Sequence, residues 1–321
     1  MKEVYTLDDL ASRSSLDEAS GHPARLAVLG YPVAHSLSPQ LHQDALDQAE
    51  SGARYIRLEV PPGRVAEALD RLADLDFVGA NVTVPHKFEA LSAADEVDEG
   101  SAMLGAANTI LFDGDRKLAF NTDGPGFVRA IHEEFLVDVK DLRIMVVGAG
   151  GGAGRAIAAQ CVREGCEKLI LVNRTVDKAD SLATELRPYL ESERLEGPGE
   201  RIKSFSLDSP EILAESDQID LIVNTTSVGL QRSDPSPLPS SCLQPHHLVY
   251  DTIYNPAQTR LLQEATRIGA RSANGCSLLL HQGALAFELW FPGNQPLSIM
   301  RRSLTRALEL RQRDLHLDEL S

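Results

Sequence analysis

The chain is short of cysteine, of net positive charge and of long apolar runs. Four cysteines (Cys161, Cys166, Cys242 and Cys276) in 321 residues are too few for a disulfide scaffold. No Cys-x-x-Cys pair accompanies a histidine cluster, so no metal and no redox motif is expected, and a reducing cytoplasm is the expected compartment. No stretch approaches the roughly 18 apolar residues of a membrane span. The first twenty residues carry Lys2, Glu3, Asp8, Asp9, Arg13, Asp17 and Glu18, so no signal-peptide core is expected there. Lys and Arg number 31 against 47 Asp and Glu, a formal net charge of −16. That sign argues against nucleic acid as the main partner. An anionic small-molecule substrate or cofactor must then be held by local donors rather than by the global field.

What is present is ordinary for a globular protein, 43% hydrophobic and 24% charged. The length suggests two domains at about 150 residues each. Residues 1–24 are polar and read as an N-terminal extension with at most one short helix. From Arg25 onward strand, turn and helix alternate: RLAVLG, a loop over Tyr31–Pro39, a helix over Gln40–Gln48, the strand ARYIRLEV, the helix VAEALDRLADL and the strand FVGANVTV. LGAANTILF and KLAF read as further strands. GPGFVRAIHEEF opens a linking helix, and after it IMVV, KLILV, IDLIVN and HLVYD read as strands with helices between. ESERLEGPGE reads as a loop, and LLLHQGALAFELW and IMRRSLTRALEL as terminal helices, with Arg301, Arg302, Arg306, Arg311 and Arg313 forming a solvated face. Repeated β-α-β units imply an α/β protein with parallel sheets and ligands at the carboxyl ends of the strands.

The stretch Ile144–Arg155, IMVVGAGGGAGR, is a buried-strand run emptying into glycines and then a helix. Gly148, Gly150 and Ala153 fit the G-x-G-x-x-G/A spacing, which lets backbone N–H groups and a helix dipole approach a pyrophosphate. The next strand ends at Asn173-Arg174-Thr175, where an NAD site usually carries an acidic residue. An arginine and a hydroxyl there suit a 2′-phosphate, so NADP is expected. In the first half, Ser36 and Ser38 alternate about Leu37, and in extended backbone both hydroxyls face one way and can grip a carboxylate. The alternative is that Ser38 merely caps the helix beginning at Pro39. Lys87 follows a strand end and a proline, and Asp123 lies in Asn121-Thr122-Asp123-Gly124. A lysine beside a ketone can stabilise developing negative charge and release a proton, and an aspartate can orient it.

The motifs HSLSP, NVTVPHK, GAANT, NTDGPGF, GAGG, NRT, NTTSVG, YDTIYNP and NGCSLLLHQGALAFELW resemble, in the same order, those of the shikimate dehydrogenases, from about Arg25 to Leu308. The resemblance implies an N-terminal α/β substrate domain, an NADP-binding Rossmann domain and C-terminal helices packing back on the first domain. It implies NADPH-dependent reduction of 3-dehydroshikimate to shikimate, a step toward aromatic amino acids. Lys87 then matches the acid/base, paired with Asp123, and Ser36 and Ser38 the carboxylate-binding serines. Thr83, Asn108, Asp123, Tyr254 and Gln282 match positions at the substrate hydroxyls or lining its pocket. Gly148, Ala149, Gly150, Gly151 and Gly152 match the pyrophosphate loop, and Asn173, Arg174, Thr175 and Lys178 the adenosine phosphate clamp. Thr252 and Gly275 match the nicotinamide side, and Glu99 a cofactor-side acid found in some members. The implied boundaries are 1–24 for the extension, 25–123 for the substrate and catalytic domain, 124–275 for the NADP domain and 276–321 for the returning helices. The resemblance allows a homodimer.

Four departures from the family pattern stand out. The glycine loop has one residue more before Arg155, Lys178 replaces an arginine, Gln43 replaces an asparagine after His42, and Ser277-Leu278 replaces Gly-Met. Two competing readings remain at this level. One is a quinate/shikimate dehydrogenase using NAD, disfavoured by Arg174 and Thr175. The other is a non-catalytic ligand-sensing regulator on the same fold, disfavoured by the presence of both Lys87 and Asp123.

Overall fold

The computed structural model describes residues 2–17, 20–191 and 200–318. Two compact units emerge, Met1–Thr122 with Leu280–Ser321, and Asp123–Leu279. The loop reading of ESERLEGPGE falls almost wholly outside the described residues.

In the first unit the strands are β1 (Tyr5–Thr6), β2 (Ala24–Gly30), β3 (Arg54–Glu59), β4 (Gly79–Val82), β5 (Glu96–Val97), β6 (Thr109–Asp113) and β7 (Arg116–Phe120). The helices are α1 (Arg13–Asp17), α2 (Ser38–Gln48), α3 (Val65–Asp74), α4 (Lys87–Ser92) and α5 (Glu99–Leu104). The sheet order is β1-β3-β2-β4-β6-β7-β5. Neighbours pair in parallel except at β6, which runs antiparallel to both β4 and β7. An all-parallel expectation fails there because the β6–β7 link is a tight hairpin with Gly114 at φ +60, too short for a crossover. The consequence is that the start of β6 joins the carboxyl ends of β2, β3, β4 and β7 at one edge, where ligands of α/β sheets gather.

Residues 2–17 are not a loose extension. β1 adds to the sheet edge beside β3, and Tyr5, Leu7, Leu10 and Leu16 join the core cluster of β2, β3 and α3. Each buried leucine contributes on the order of 1.5–3 kcal/mol. Arg54 ties the segment down, donating to the Tyr5 hydroxyl at 2.9 Å and the Leu16 carbonyl at 2.5 Å. The polar composition conceals four well-spaced apolar anchors.

The second unit contains α6 (Asp123–Phe135), β8 (Arg143–Val147), α7 (Gly152–Arg163), β9 (Lys168–Asn173), α8 (Val176–Glu191), β10 (Ile202–Ser206), α9 (Glu211–Ser216), β11 (Leu221–Asn224), β12 (Leu248–Asp251), α10 (Arg260–Arg267) and β13 (Arg271–Asn274). Its sheet is wholly parallel in the order β10-β9-β8-β11-β12-β13. That is the doubly wound dinucleotide-binding order, whose direction reverses between β8 and β11. Strands β8, β9 and β11 read as continuous apolar runs because helices cover both faces. β10 and β13 escape sequence reading, since IKSFS and RSAN lack such a run. Helix α11 (Cys276–Trp290) begins in the second unit and passes at Leu280 into the first, which α12 (Leu297–Asp318) completes. Among the described residues no helix is long and apolar enough to cross a membrane.

Candidate functional site

In the first unit, β2 ends at Gly30 and the chain turns through Tyr31–Leu37 into α2. Thr83 packs its methyl against Gly30 so closely that a Cβ there would lie 2.6 Å from it. Within the loop, the Ser36 hydroxyl donates to the Ser38 hydroxyl at 3.2 Å and accepts from the Ser38 N–H at 3.2 Å. The two hydroxyls therefore lie together. Ser38 does not act as a side-chain cap: Leu37 occupies the N-cap position with no side-chain cap hydrogen bond, and Pro39 sits in the first turn. The Ser38 hydroxyl thus takes no part in capping, while Ser36 Oγ receives the Ser38 N–H at the helix start.

The end of β4 runs into Thr83–His86 and then α4, whose first residue is Lys87. Lys87 is only 8% exposed. The loop is fixed by backbone bonds from Thr83 N–H to the Leu29 carbonyl at 2.8 Å and from Ala107 N–H to the Lys87 carbonyl at 3.0 Å. His86 Nε2 lies 2.7 Å from the Val60 carbonyl, so that nitrogen carries the proton and donates; the ring anchors the turn.

Beside it sits a buried polar network. Asn108 Oδ1 accepts from the Thr122 N–H at 2.7 Å, and its Nδ2 donates to Thr122 Oγ1 at 3.0 Å and Gln282 Oε1 at 3.4 Å. Asn81 accepts from the Tyr55 hydroxyl at 2.7 Å and donates to Thr109 Oγ1 at 3.2 Å. Asp123, the next residue after Thr122, is 8% exposed and opens α6. Behind the network the fully buried His42 stacks on Tyr55 at 4.6 Å, with Trp290 at 5.4 Å. Burial pushes the His42 imidazole down to about 3, so the ring is neutral. Trp290 donates to the Ile110 carbonyl at 2.9 Å and is core. The structure thus gathers Ser36, Ser38, Thr83, Lys87, Asn108 and Gln282 in the first unit. Asn81, Tyr55 and Thr122, which support them, were missed in the sequence reading. The signal that could have found them is that polar residues inside the apolar strands β3 and β4 and after β7 must find buried partners.

In the second unit Gly148 follows β8 with φ +90, and a Cβ there would meet Thr226 Cγ2 at 2.7 Å and Thr225 Oγ1 at 2.9 Å. The turn lies where the strand order reverses, since Thr225 after β11 donates its N–H and hydroxyl to the Val147 carbonyl at 2.8 and 2.7 Å. Gly151 is the N-cap of α7. The extra loop residue corrects the motif assignment: the close-packing position is Gly154, not Ala153. A Cβ on Gly154 would lie 2.3 Å from the Gly148 carbonyl oxygen, whereas Ala153 already carries one and is half-buried.

Gly150 is pressed against the end of β9, its hypothetical Cβ lying 2.8 Å from Lys178 Cβ, and its N–H reaches Asn173 Oδ1 at 3.3 Å. Asn173 also donates to the Thr175 carbonyl at 2.8 Å. Arg174, Thr175 and Lys178 are exposed beside it. A cradle that excludes Cβ atoms, followed by exposed cations with no acid at the β9 end, fits a phosphorylated dinucleotide. On the far side of the sheet, Gly275 touches Thr252 so tightly that a Cβ would fall 2.0 Å from its carbonyl oxygen. Tyr254 is half-buried on the loop after β12. That loop is pinned by the buried Asp251, which accepts from Ile253 N–H at 3.0 Å, Asn224 at 3.0 Å and Thr259 at 2.6 Å. Glu99 belongs to the first unit, where it is exposed in the first turn of α5. Among the described residues no group of three or more His, Cys, Asp or Glu could hold a metal.

Comparison with known proteins agrees with both halves. Residues 28–110 match the family model described as shikimate dehydrogenase substrate binding domain, and residues 130–208 that described as shikimate / quinate 5-dehydrogenase. A shikimate dehydrogenase (NADP(+)) of Methanopyrus kandleri is 39% identical over 285 residues, 88% of this chain and 95% of the relative. That of Geobacillus kaustophilus is 43% identical over 265 residues, 82% and 91% of the two chains. The crystal structure of shikimate 5-dehydrogenase from Thermus thermophilus in complex with NADP(H) and shikimate superposes with a TM-score of 0.76 at 34% identity, covering 88% of this chain and 99% of that one. With relatives 39 and 43% identical that it covers over nine-tenths of their length, and with both family models matched in order along it, this chain belongs to the shikimate dehydrogenase family.

Proposed function

We propose that this protein catalyses the reversible NADPH-dependent reduction of 3-dehydroshikimate to shikimate. The observation that carries the reading is the gathering of paired serine hydroxyls, a buried lysine and the Asn108–Thr122–Gln282 network at one sheet edge, in a chain of this family. Ser36 and Ser38 take the substrate carboxylate. Thr83, Asn108, Tyr254 and Gln282 hold its hydroxyls or line its pocket. Lys87 stabilises the charge that develops on the C3 oxygen and gives that oxygen its proton, and Asp123 orients the ammonium and accepts from the adjacent hydroxyl. Much of the acceleration is positioning, since the bound dinucleotide supplies the hydride.

Gly148–Gly152 hold the pyrophosphate, Asn173, Arg174, Thr175 and Lys178 the adenosine phosphate, and Thr252 and Gly275 the nicotinamide side, with Glu99 as a further cofactor-side acid. In this reading the unit Met1–Thr122 with Leu280–Ser321 takes the substrate and the unit Asp123–Leu279 takes NADP, so the expected bounds 25–123, 124–275 and 276–321 shift by a few residues and the first 24 join the substrate unit. A reducing cytoplasm is the compartment that goes with this reading. The exposed Arg174, with no acid at the end of β9, favours NADP over NAD and over the quinate reading. K87A should lower kcat by roughly two orders of magnitude or more while the NADP dissociation constant is unchanged; near-normal turnover would refute the assignment. Oxidation of shikimate and of quinate, each with NADP and NAD, separates the two substrate readings.

A further inference from the structure

The loop that bears the serine pair is held from behind by two arginines from separate elements. Arg57 on β3 aims two N–H groups at one oxygen: its Nε and a terminal nitrogen donate to the Ser36 carbonyl at 3.0 and 2.8 Å. The same terminal nitrogen reaches Gln40 Oε1 at 3.0 Å, which braces the guanidinium against the first turn of α2. Arg311 on α12 donates to the preceding carbonyl, His35, at 3.0 Å. The solvated-face reading of the α12 arginines therefore fails for Arg311. It fails in part for Arg306, which lies 3.7 Å from Asp44 on α2, where Ser303 also donates at 2.5 Å. Helix α12 is in this way latched to α2 and delivers Arg311 to the loop.

Fixing a carbonyl fixes more than the carbonyl. In a planar trans peptide the C=O and the following N–H point in opposite directions. With the Ser36 oxygen drawn toward Arg57, the Leu37 N–H is turned the other way, and no group in the described structure accepts from it. Leu37 is the N-cap of α2, and the N–H groups at a helix start have no partner within the helix, so this amide is available to an anion. Two hydroxyls and one amide thus lie on consecutive residues, Ser36, Leu37 and Ser38, with the Ser36 O–H turned to Ser38 Oγ at 3.2 Å. Two cations hold the carbonyls of His35 and Ser36, in a chain whose net charge is −16.

We infer that Arg57 and Arg311 are positioning residues that set this loop, including the Leu37 amide, as a receptor for the substrate carboxylate. The inference rests on the proposed role of Ser36 and Ser38. Neither arginine touches the reacting atoms; each acts through the carbonyl it holds.

The test uses shikimate and its methyl ester, which differ in the charge of the one group the loop is held to read. S36A first checks the underlying role, and should reduce kcat/KM for shikimate much more than for the ester. R57A is then expected to raise KM for shikimate roughly ten- to hundredfold, the usual range for losing hydrogen bonds to a charged group, with kcat within about twofold and KM for the ester nearly unchanged. R57K keeps the charge but loses the fork, and should recover only part of the loss. R311A should give the same pattern at smaller size, and carries the test if R57A does not fold. NADP affinity should be unchanged in each. If S36A affects acid and ester alike, the serine assignment falls and this inference with it. If S36A discriminates while R57A and R311A affect acid and ester equally, or neither, the positioning role alone is overturned.

Discussion

Gly154 offers a sharp test of how the cofactor loop is built. In G154A the new Cβ would sit 2.3 Å from the Gly148 carbonyl oxygen, 2.6 Å from Thr225 Oγ1 and 2.9 Å from Ala149 Cα. Two of the three neighbours are backbone, so the clash cannot be relieved by turning a side chain. Reaching even 3.0 Å needs about 0.7 Å of movement between α7 and the Gly148 turn. Overpacking of this kind costs about 1–3 kcal/mol, and the gain in helix propensity from glycine to alanine offsets about 1 kcal/mol of it. A net loss of up to about 2 kcal/mol corresponds to a fall in Tm of up to about 8 °C for a unit of this size. The larger effect should fall on the cofactor. The turn must present its N–H groups to a pyrophosphate, and losing one or two hydrogen bonds to a charged group weakens binding by roughly ten- to a hundredfold each. G151A is the control for stability alone, because its Cβ would meet only the Gly148 oxygen at an ordinary 3.5 Å. Thermal unfolding of the two variants and isothermal titration of G154A with NADP decide the matter. G154A binding NADP as tightly as the parent, or G151A unfolding at a lower temperature than G154A, would refute both the packing argument and the reassignment of the motif from Ala153 to Gly154.

Two further outcomes are expected. R174A should lower the ratio of kcat/KM with NADP to that with NAD by roughly ten- to hundredfold, since a 2′-phosphate loses a forked partner; an unchanged ratio would move the clamp elsewhere. His42 contributes a pH dependence whose sign follows from its depressed folded pKa of about 3 against an unfolded 6.5. Between those values the unfolded chain binds the extra proton, so stability is full above the unfolded pKa and is lost as pH falls toward 3. H42F keeps a ring against Tyr55 and Trp290 and should flatten that loss, by as much as a few kcal/mol at the acid end. Chemical denaturation at pH 7, 5 and 4 measures it, and parallel curves for parent and H42F would show that the buried imidazole is not the cause.

Much of the site was legible in the chain. HSLSP, NVTVPHK and the glycine run are local patterns, and the positions they mark fall at strand ends because a β-α-β chain puts its turns there. The supports were not legible. Arg57 looks like any polar residue alternating outward in YIRLEV, and Arg311 like one of several cations on a long helix. Their targets are carbonyls 21 and 276 residues away along the chain, and a backbone carbonyl leaves no mark in a sequence. The extra glycine-loop residue was visible, but which glycine touches the strand depends on where α7 begins.

The sequence by itself determined the two α/β units, the glycine turn after β8, the cationic end of β9 and the candidates for the chemistry. Each depends on a short stretch whose residue types limit its own backbone and side-chain options. Only the tertiary structure decided that Tyr5–Thr6 join the first sheet and Leu7, Leu10 and Leu16 its core, that β6 runs backward and so brings Asn108 to the carboxyl edge, that Gly154 is the packing glycine, and that two distant arginines hold the serine loop. Those features are pairings between segments remote in the chain. Such pairings are set by which apolar faces and unsatisfied polar groups meet when the whole core is buried, not by any segment's own preference.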